Sequence, residues 1–266
     1  MRPILFEIFG WEVPSWHLFF ILAAFTAWLV AAHCARLLLR RGVAHAERFL
    51  DVLPQIFVIC YTTSWFGARA LSILVEQLDV QTPSEFLKAL FSIGPMTFYG
   101  GALAAVCCGV FYCRWKHVSL RLALDCGVVG GVFALGVGRI GCFLNGDDYG
   151  AAIANQSVPP WWSVRFVGLE DGGLYRYPVQ LEETLASVLI GCAGLWLLNR
   201  ARVSGRTAAW VALLSAAHRF FNEAFRGDPR GFFPGTQIST SSGIAVLIVV
   251  FCAICLARMR NRTDEF

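Results

Sequence analysis

The stretch Leu122–Leu144 reads LALDCGVVGGVFALGVGRIGCFL and holds only two charges, Asp125 and Arg139. A bilayer core ~30 Å thick is crossed by roughly 20 apolar residues in helical form. The stretch is long enough to cross, and too apolar for the surface of a soluble protein. Six further stretches of similar character lie at Trp16–Ala35, Val52–Val75, Met96–Trp115, Val179–Leu198, Ala208–Phe225 and Gly243–Ala257. The last can extend back through the hydroxyl run Ser239–Ser242, which suits a helix start. The expected fold class is therefore all-α, a polytopic membrane protein of about seven transmembrane helices. Residues 1–266 read as a single integral membrane domain, with an external arm at 146–178 between the fourth and fifth spans.

Composition agrees. Hydrophobic residues make up 57% of the 266, charged residues 15%, and the mean hydropathy is +0.59; a soluble domain carries about 25% charge. The net charge of +4 is not gathered into a patch, which argues against a nucleic-acid partner. Its distribution follows topology instead. Of the 22 Lys and Arg, thirteen fall in alternate segments, around Arg36–Arg48, Arg114–Arg121, Arg200–Arg206 and Arg258–Arg262. The N-terminus and the other loops hold six: Arg2, Lys88, Arg165, Arg176, Arg226 and Arg230. The positive-inside rule then puts the N-terminus outside and the C-terminus in the cytoplasm, as an odd number of spans requires. Acidic Glu7 and Glu12 precede the first span in place of a basic region, so that span reads as a retained helix rather than a signal peptide.

Most of the ten cysteines fall within apolar spans and read as small hydrophobes. Cys252 and Cys255 have no second pair or nearby His, so no metal or redox site is expected. In the fourth span Gly127 and Gly131 stand at the spacing that lets helices approach closely. Gly136-x-Gly138-x-x-Gly141 imitates a dinucleotide-binding turn, but that motif follows a strand and opens a helix, whereas here it closes a membrane span. In the external arm Pro159, Pro160, Trp161 and Trp162 suit the headgroup layer. The 76–95 loop is acidic, with Glu76, Asp79 and Glu85.

Three arginines lie inside spans: Arg69, Arg139 and Arg219. Each costs roughly 2.5–3.5 kcal/mol at a helix centre on insertion scales, which marks them as functional candidates. By the topology all three fall in the outer half of the membrane. Arg219, Glu223 and Arg226 follow at i, i+4 and i+7, a spacing that puts two cations and one carboxylate on one helical face. Arg139 leads into the polar, glycine-spaced Asn145-Gly146-Asp147-Asp148-Tyr149-Gly150, and irregular backbone at membrane depth is tolerated only where it is buried in protein or lines a wet cavity. Guanidinium groups converging there suit a phosphate. An anionic phospholipid of the outer leaflet is the implied ligand class. Tyr99-Gly100-Gly101 opens the third span near the same face, where the glycine pair permits close approach of a ligand. Asn145 and the Asp147/Asp148 pair suit headgroup hydroxyls or loop hydration. One of Glu182 and Glu183 is positioned to neutralise an arginine, whereas Asp125 lies at the opposite, inner end and reads as structural.

At these residues the chain resembles the prolipoprotein diacylglyceryl transferase family. The Gly138–Gly150 stretch is similar to that family's signature, Gly67-Ala68-Arg69 to an element of its second helix, and Tyr99-Gly100-Gly101 to its His-Gly-Gly element. Tyr177–Leu181 is similar to its Pro-x-Gln-Leu element, and Arg219–Arg226 to its Arg-Phe-x-x-Glu-x-Phe-Arg helix. The resemblance implies transfer of a diacylglyceryl group from phosphatidylglycerol to the lipobox cysteine of a secreted prolipoprotein, in the bacterial inner membrane, without metal or cofactor. It implies catalytic roles for Arg139, Arg219 and Tyr99. Substrate-binding roles fall to Arg139, Asn145, Asp147, Gly150, Glu223, Arg226, Gly100, Gly101 and Arg69. The nucleophile is the substrate's thiol, so none of the chain's own cysteines is required.

Several positions depart from the family pattern. Tyr99 stands where His is common, Cys142 where Asn is, Asp147 where Glu is, Ser215 in place of an aromatic, and Trp16-His17 in place of a Tyr-Gly pair. Tyrosine, with an ordinary pKa near ~10, is a poor base at neutral pH. Thiol deprotonation then either does not depend on that position or falls to His17 or His218. A non-catalytic relative that binds anionic lipid or lipopeptide is the second reading, and a transporter the third. The apolar inner halves of the spans weigh against the third.

Overall fold

A computed structural model describes the chain except residues 1, 9, 44, 77–79, 81, 93, 95, 167–168, 170, 172, 201–203, 230, 234, 237 and 260–266. Asp79, Arg202, Arg230, Arg260 and Arg262 of the charge reading lie outside the described residues. The chain divides into two compact units, one of residues 1–37 with 124–266 and one of residues 38–123.

Helices dominate, as the apolar runs require. They are α1 (Ser15–Arg40), α2 (His45–Glu76), α3 (Pro83–Leu90), α4 (Phe98–Trp115), α5 (Leu120–Asn145), α6 (Val179–Arg200), α7 (Arg206–Asn222) and α8 (Thr240–Met259). Seven coincide with the seven apolar stretches, and α3 is the extra one. Among the described residues α1, α2, α5, α6 and α8 are long and apolar enough to cross a bilayer on their own. At 18 and 17 residues, α4 and α7 rise about 26–27 Å, close to the ~30 Å core. The outward faces are apolar: Leu29, Leu103, Phe111, Leu189, Leu247 and Phe251 are all exposed. Large apolar surface on every long helix is what a lipid solvent selects. The protein is an all-α polytopic membrane protein.

In the larger unit a short antiparallel hairpin, β1 (Ile4–Ile8) and β2 (Trp11–Pro14), precedes α1. The sequence reading did not anticipate it, because its strands are too short to show a period. The Arg2 amide donates to the Leu144 carbonyl at the end of α5. Helix packing runs through glycines, though not the expected ones. Around Gly127 and Gly131 nothing lies within reach of an added Cβ. A Cβ on Gly130 would sit 2.5 Å from the Ala27 carbonyl oxygen of α1, and one on Gly141 2.6 Å from Phe19 Cβ. The close α1–α5 crossing therefore uses Gly130 and Gly141. At the end of α5 remote from Arg139, Asp125 is fully buried and its carboxylate accepts the Gly205 and Ala208 amides, each at 2.7 Å. It caps α7 from another helix, which is the structural role expected of it. The hydroxyl run also behaves as expected, with the Ser239 hydroxyl accepting the Ser242 amide at 3.1 Å as α8 begins.

In the smaller unit α2 packs along α4. A Cβ on Gly100 would overlap the Gly67 carbonyl, and one on Gly101 would sit 2.8 Å from the Ser64 carbonyl oxygen. The space beside this glycine pair is filled by α2, not left open to a ligand. The acidic 76–95 segment is partly helical: Thr82 and Glu85 form a capping box at the start of α3.

Candidate functional site

The cluster in the larger unit starts where α5 stops. Gly146 takes a positive φ of 91°, and its amide and that of Asp147 both return to the Cys142 carbonyl. Glycine is at home in that conformation, so the chain turns sharply out of the helix. Asp148 also takes a positive φ, 55°, which side chains adopt rarely and which must be held by neighbours. The neighbours are guanidiniums. Arg139 donates to one oxygen of Asp148 and Arg226 to the other. Sequence neighbours Asn145 and Asp147 turn on each other, the Asn145 amide donating to the Asp147 carboxylate.

α6 closes the other side. The Arg139 Nε lies 2.7 Å from Glu183, which is the carboxylate that neutralises it. One turn before Glu183, the buried Gln180 donates to the Asp147 carbonyl at 2.7 Å and fixes the turn. Cys142 Sγ lies 3.8 Å from Arg139 Nη1.

α7 ends at Asn222, and Glu223–Phe225 winds as a tighter 3-10 turn. This breaks the expected single face. Arg219 lies 3.1 Å from Glu223, while Arg226, past the turn, pairs with Asp148 and with Asp228. Three guanidiniums thus meet four carboxylates: Glu183, Asp148, Glu223 and Asp228. The expected excess of cation is absent. Arg219 keeps one spare donor, since its Nη1 is buried and meets no hydrogen-bond partner among the described residues.

The arm at 146–178 is tied into this cluster. A Cβ on Gly150 would overlap the Tyr177 carbonyl, so only glycine lets these segments touch. The Gly150 carbonyl accepts Arg176 Nη1 at 2.9 Å, and the Arg176 guanidinium also holds Asp171 and lies 4.6 Å over the Tyr149 ring. Within the arm, strands β3 (Val164–Arg165) and β4 (Tyr175–Arg176) pair, and Phe166 is buried. Trp161 projects, 94% exposed, and Trp162 stacks on Tyr177.

Arg139, Asn145, Asp147, Gly150, Arg219, Glu223 and Arg226 are therefore gathered in the larger unit. Arg69, Tyr99, Gly100 and Gly101 belong to the smaller one. There Arg69 is 2% exposed, and it donates to the Ala89 carbonyl at 3.0 Å and the Ser92 hydroxyl at 3.1 Å. Its guanidinium also fills the space beside Gly94, so it binds the end of α3 to α2. Tyr99 is half-buried beside Phe98. Gln180 belongs to the Tyr177–Leu181 element, whereas the site roles of Arg176 and Asp228 are not legible in the sequence, and the sequence offers Asp148 only as a headgroup or hydration partner. The one signal pointing to Asp228 is its place two residues beyond Arg226.

The electrostatics follow from geometry. Burial alone would raise the Asp148 carboxyl, but Arg139 and Arg226 outweigh it and hold the group down at about 2. Asp148 is therefore an anion at any working pH. A carboxylate and a phosphate oxygen pair are both anions that accept forked guanidinium donors.

Residues 3–258 match the family described as prolipoprotein diacylglyceryl transferase. The chain belongs to that family. It is 28% identical over 257 residues to phosphatidylglycerol–prolipoprotein diacylglyceryl transferase 2 of Clostridium perfringens, covering 94% of this chain and 92% of that protein. To the enzyme of Geobacter sulfurreducens it is 30% identical over 227 residues, covering 84% and 82%. To that of Clostridium tetani it is 25% identical over 250 residues, covering 94% of each. The family match takes in both units and the arm, so the carboxylate–guanidinium cluster and the α2–α4 pair lie alike within it.

Proposed function

We propose that this chain transfers a diacylglyceryl group from phosphatidylglycerol to the lipobox cysteine of a secreted prolipoprotein, releasing glycerol phosphate. The observation that carries the reading is the Arg139–Asp148–Arg226 bridge, found in a chain of this family. Asp148 is the most exposed of the four carboxylates in the cluster, with 34% of its side chain open. In the resting protein it holds the two guanidiniums at the spacing an anion needs. The lipid phosphate takes its place, and the spare Arg219 donor adds a further contact. The substrate thiolate then attacks the glyceryl carbon that carries the phosphate oxygen. A carbon–sulfur bond forms, the carbon–oxygen bond breaks, and the electron pair leaves on the phosphate. Fixed cations at the developing charge lower the barrier without any covalent enzyme intermediate.

Asn145, Asp147 and Gly150 shape the headgroup turn in this reading, and Glu223 orients Arg219. Tyr99, Gly100, Gly101 and Arg69 contribute through the smaller unit, with Arg69 chiefly stabilising its turn. No cofactor or metal takes part. Residues 1–266 act as one integral membrane domain of a bacterial inner membrane, with the N-terminus and the 146–178 arm outside and the C-terminus in the cytoplasm. A periplasm-active reporter fused after Phe266, which lies outside the described residues, stays silent; activity there overturns the orientation.

Complementation tests the function. The chain restores growth to a bacterium lacking this transferase, and Arg139→Ala does not. Failure of the wild-type chain at normal abundance and insertion moves the assignment to a relative that only binds anionic lipid or lipopeptide. Tyr99 and the thiol of Cys142 beside Arg139, both departures from the family pattern, are the features that favour this second reading.

A further inference from the structure

Between α6 and α7 of the larger unit lies a cavity of about 230 Å³. It is smaller than the ~300–1,000 Å³ typical of small-molecule sites, so it fits a side chain and not a whole phospholipid head. Its walls are mostly apolar, from Tyr177, Val179, Phe221 and Phe225, and its polar groups are Glu182, His218 and Asn222. The two oxygens of Glu182 are divided: Oε1 lies 2.7 Å from His218 Nε2, and Oε2 accepts Asn222 Nδ2 at 2.5 Å. His218 and Asn222 stand at i and i+4 on α7, the spacing that lets one carboxylate serve both. Among the described residues His218 is the histidine that a carboxylate holds.

This geometry fixes the imidazole. With the carboxylate as acceptor Nε2 is the donor, and in the neutral ring Nδ1 is then the nitrogen that carries the lone pair. The same arrangement of carboxylate, imidazole and thiol or hydroxyl recurs wherever a side chain takes a proton from a nucleophile. A second group marks the cavity as a binding site: Asn222 is 4% exposed, and its Oδ1 is buried with no hydrogen-bond partner. With its amide nitrogen committed to Glu182, that oxygen is a spare acceptor on a residue that lines the cavity. The cavity and the guanidinium cluster draw on the same two helices. Glu182 precedes Glu183, the partner of Arg139, and His218 precedes Arg219. Adjacent Cα atoms are only ~3.8 Å apart, so both pairs of functions are held at neighbouring positions on the same two helices.

Resting on the transfer reading above, we infer that His218 is the base that deprotonates the substrate cysteine, with Glu182 as its positioning residue. The thiol proton passes to His218 Nδ1, and the sulfur's electron pair forms the bond to the glyceryl carbon. The glyceryl–oxygen pair departs on the phosphate, which takes up the proton as glycerol phosphate leaves. The spare Asn222 oxygen accepts an N–H of the substrate backbone beside the cysteine. The polar groups beside His218 in the cavity are Glu182 from α6 and Asn222 from its own helix. Tyr177, preceding α6, completes the wall.

The test uses the full-length protein in phosphatidylglycerol-containing nanodiscs and two lipobox peptides, one with cysteine and one with selenocysteine. A selenol is already ionised at neutral pH and needs no base. His218→Gln lowers transfer to the cysteine peptide by ~10²–10⁴-fold, the range for a lost general base. With the selenocysteine peptide it falls to within about tenfold of wild type. Glu182→Gln, which leaves the imidazole in place, shows a smaller loss with the same rescue, and it carries the test if His218→Gln does not fold. Equal losses on both peptides, or no loss on cysteine, overturn the inference while leaving the transfer reading intact. A wild-type protein that modifies neither peptide overturns the transfer reading and the inference together.

Discussion

Asp125, near the start of α5, and Asp148, just beyond its end, are held in opposite ways. Asp125 is sealed from solvent and its carboxylate is satisfied by backbone amides at the start of α7. Asp148 stands in a strained turn beyond the other end, between two guanidiniums, with a third of its side chain open. Backbone amides cannot leave a carboxylate without unwinding a helix. Arginine side chains can exchange one anion for another with the backbone in place. The first end is thus a fixed joint, and the second is a holder for an anion.

The largest effect that sharpens this contrast is on chemistry. Arg219→Ala removes the spare donor at the open end and lowers the kcat of the folded fraction by about 10²–10³-fold, beyond whatever stability is lost with the Glu223 ion pair. A near-wild-type kcat breaks the functional half of the comparison. Asp125→Ala gives the reverse pattern. The Gly205 and Ala208 amides lose their acceptor, at a cost of about 1–3 kcal/mol, read as a lower unfolding midpoint in detergent, while the folded fraction keeps its kcat. A stable variant with low kcat reverses the two roles.

Packing gives a smaller pair of effects. Gly141→Ala drives a Cβ toward Phe19 and costs about 1–3 kcal/mol, whereas Gly127→Ala meets open space and is neutral or mildly stabilising. Equal midpoints for the two would remove the α1–α5 crossing from the account. The smallest effect belongs to Asp148→Asn, which relieves the negative excess in the cluster and lowers the KM for phosphatidylglycerol a few-fold; a raised KM contradicts the displacement step. Its pH signature follows from a carboxyl depressed from 3.8 to about 2. The contribution of the ion pairs to stability is complete above pH 4 and is lost as pH falls toward 2. The difference in midpoint between Asp148→Asn and wild type is therefore constant from pH 5 to 8 and narrows only in acid.

The apolar runs made the long helices legible, five of them among the described residues long and apolar enough to cross a bilayer, because a bilayer imposes one length on every span. The hydroxyl run before α8 and the structural role of Asp125 could be read for similar reasons of local chemistry. What the sequence hid was charge balance. Spacing put Arg219, Glu223 and Arg226 on one face, but the 3-10 turn at Glu223–Phe225 re-aims Arg226 toward Asp148 and Asp228. That turn depends on bonds from distant segments, such as the Ala151 amide to the Phe225 carbonyl. Likewise Gly127 and Gly131 carried the right spacing but stand on an open face, while Gly130 and Gly141 meet α1. Periodicity places residues on helices; only the packing partner decides which face is used. The Glu182–His218 pair was hidden for the same reason, its members being 36 residues apart.

The central claim is that the guanidinium cluster works on a phospholipid phosphate while a substrate thiol attacks beside it. Mass spectrometry of a lipobox peptide incubated with the purified protein and phosphatidylglycerol tests it most directly. The account predicts a peptide carrying one diacylglyceryl group, one glycerol phosphate released per peptide modified, and no product from Arg139→Ala. An unmodified peptide with the wild-type protein, or wild-type rates from Arg139→Ala, contradicts it.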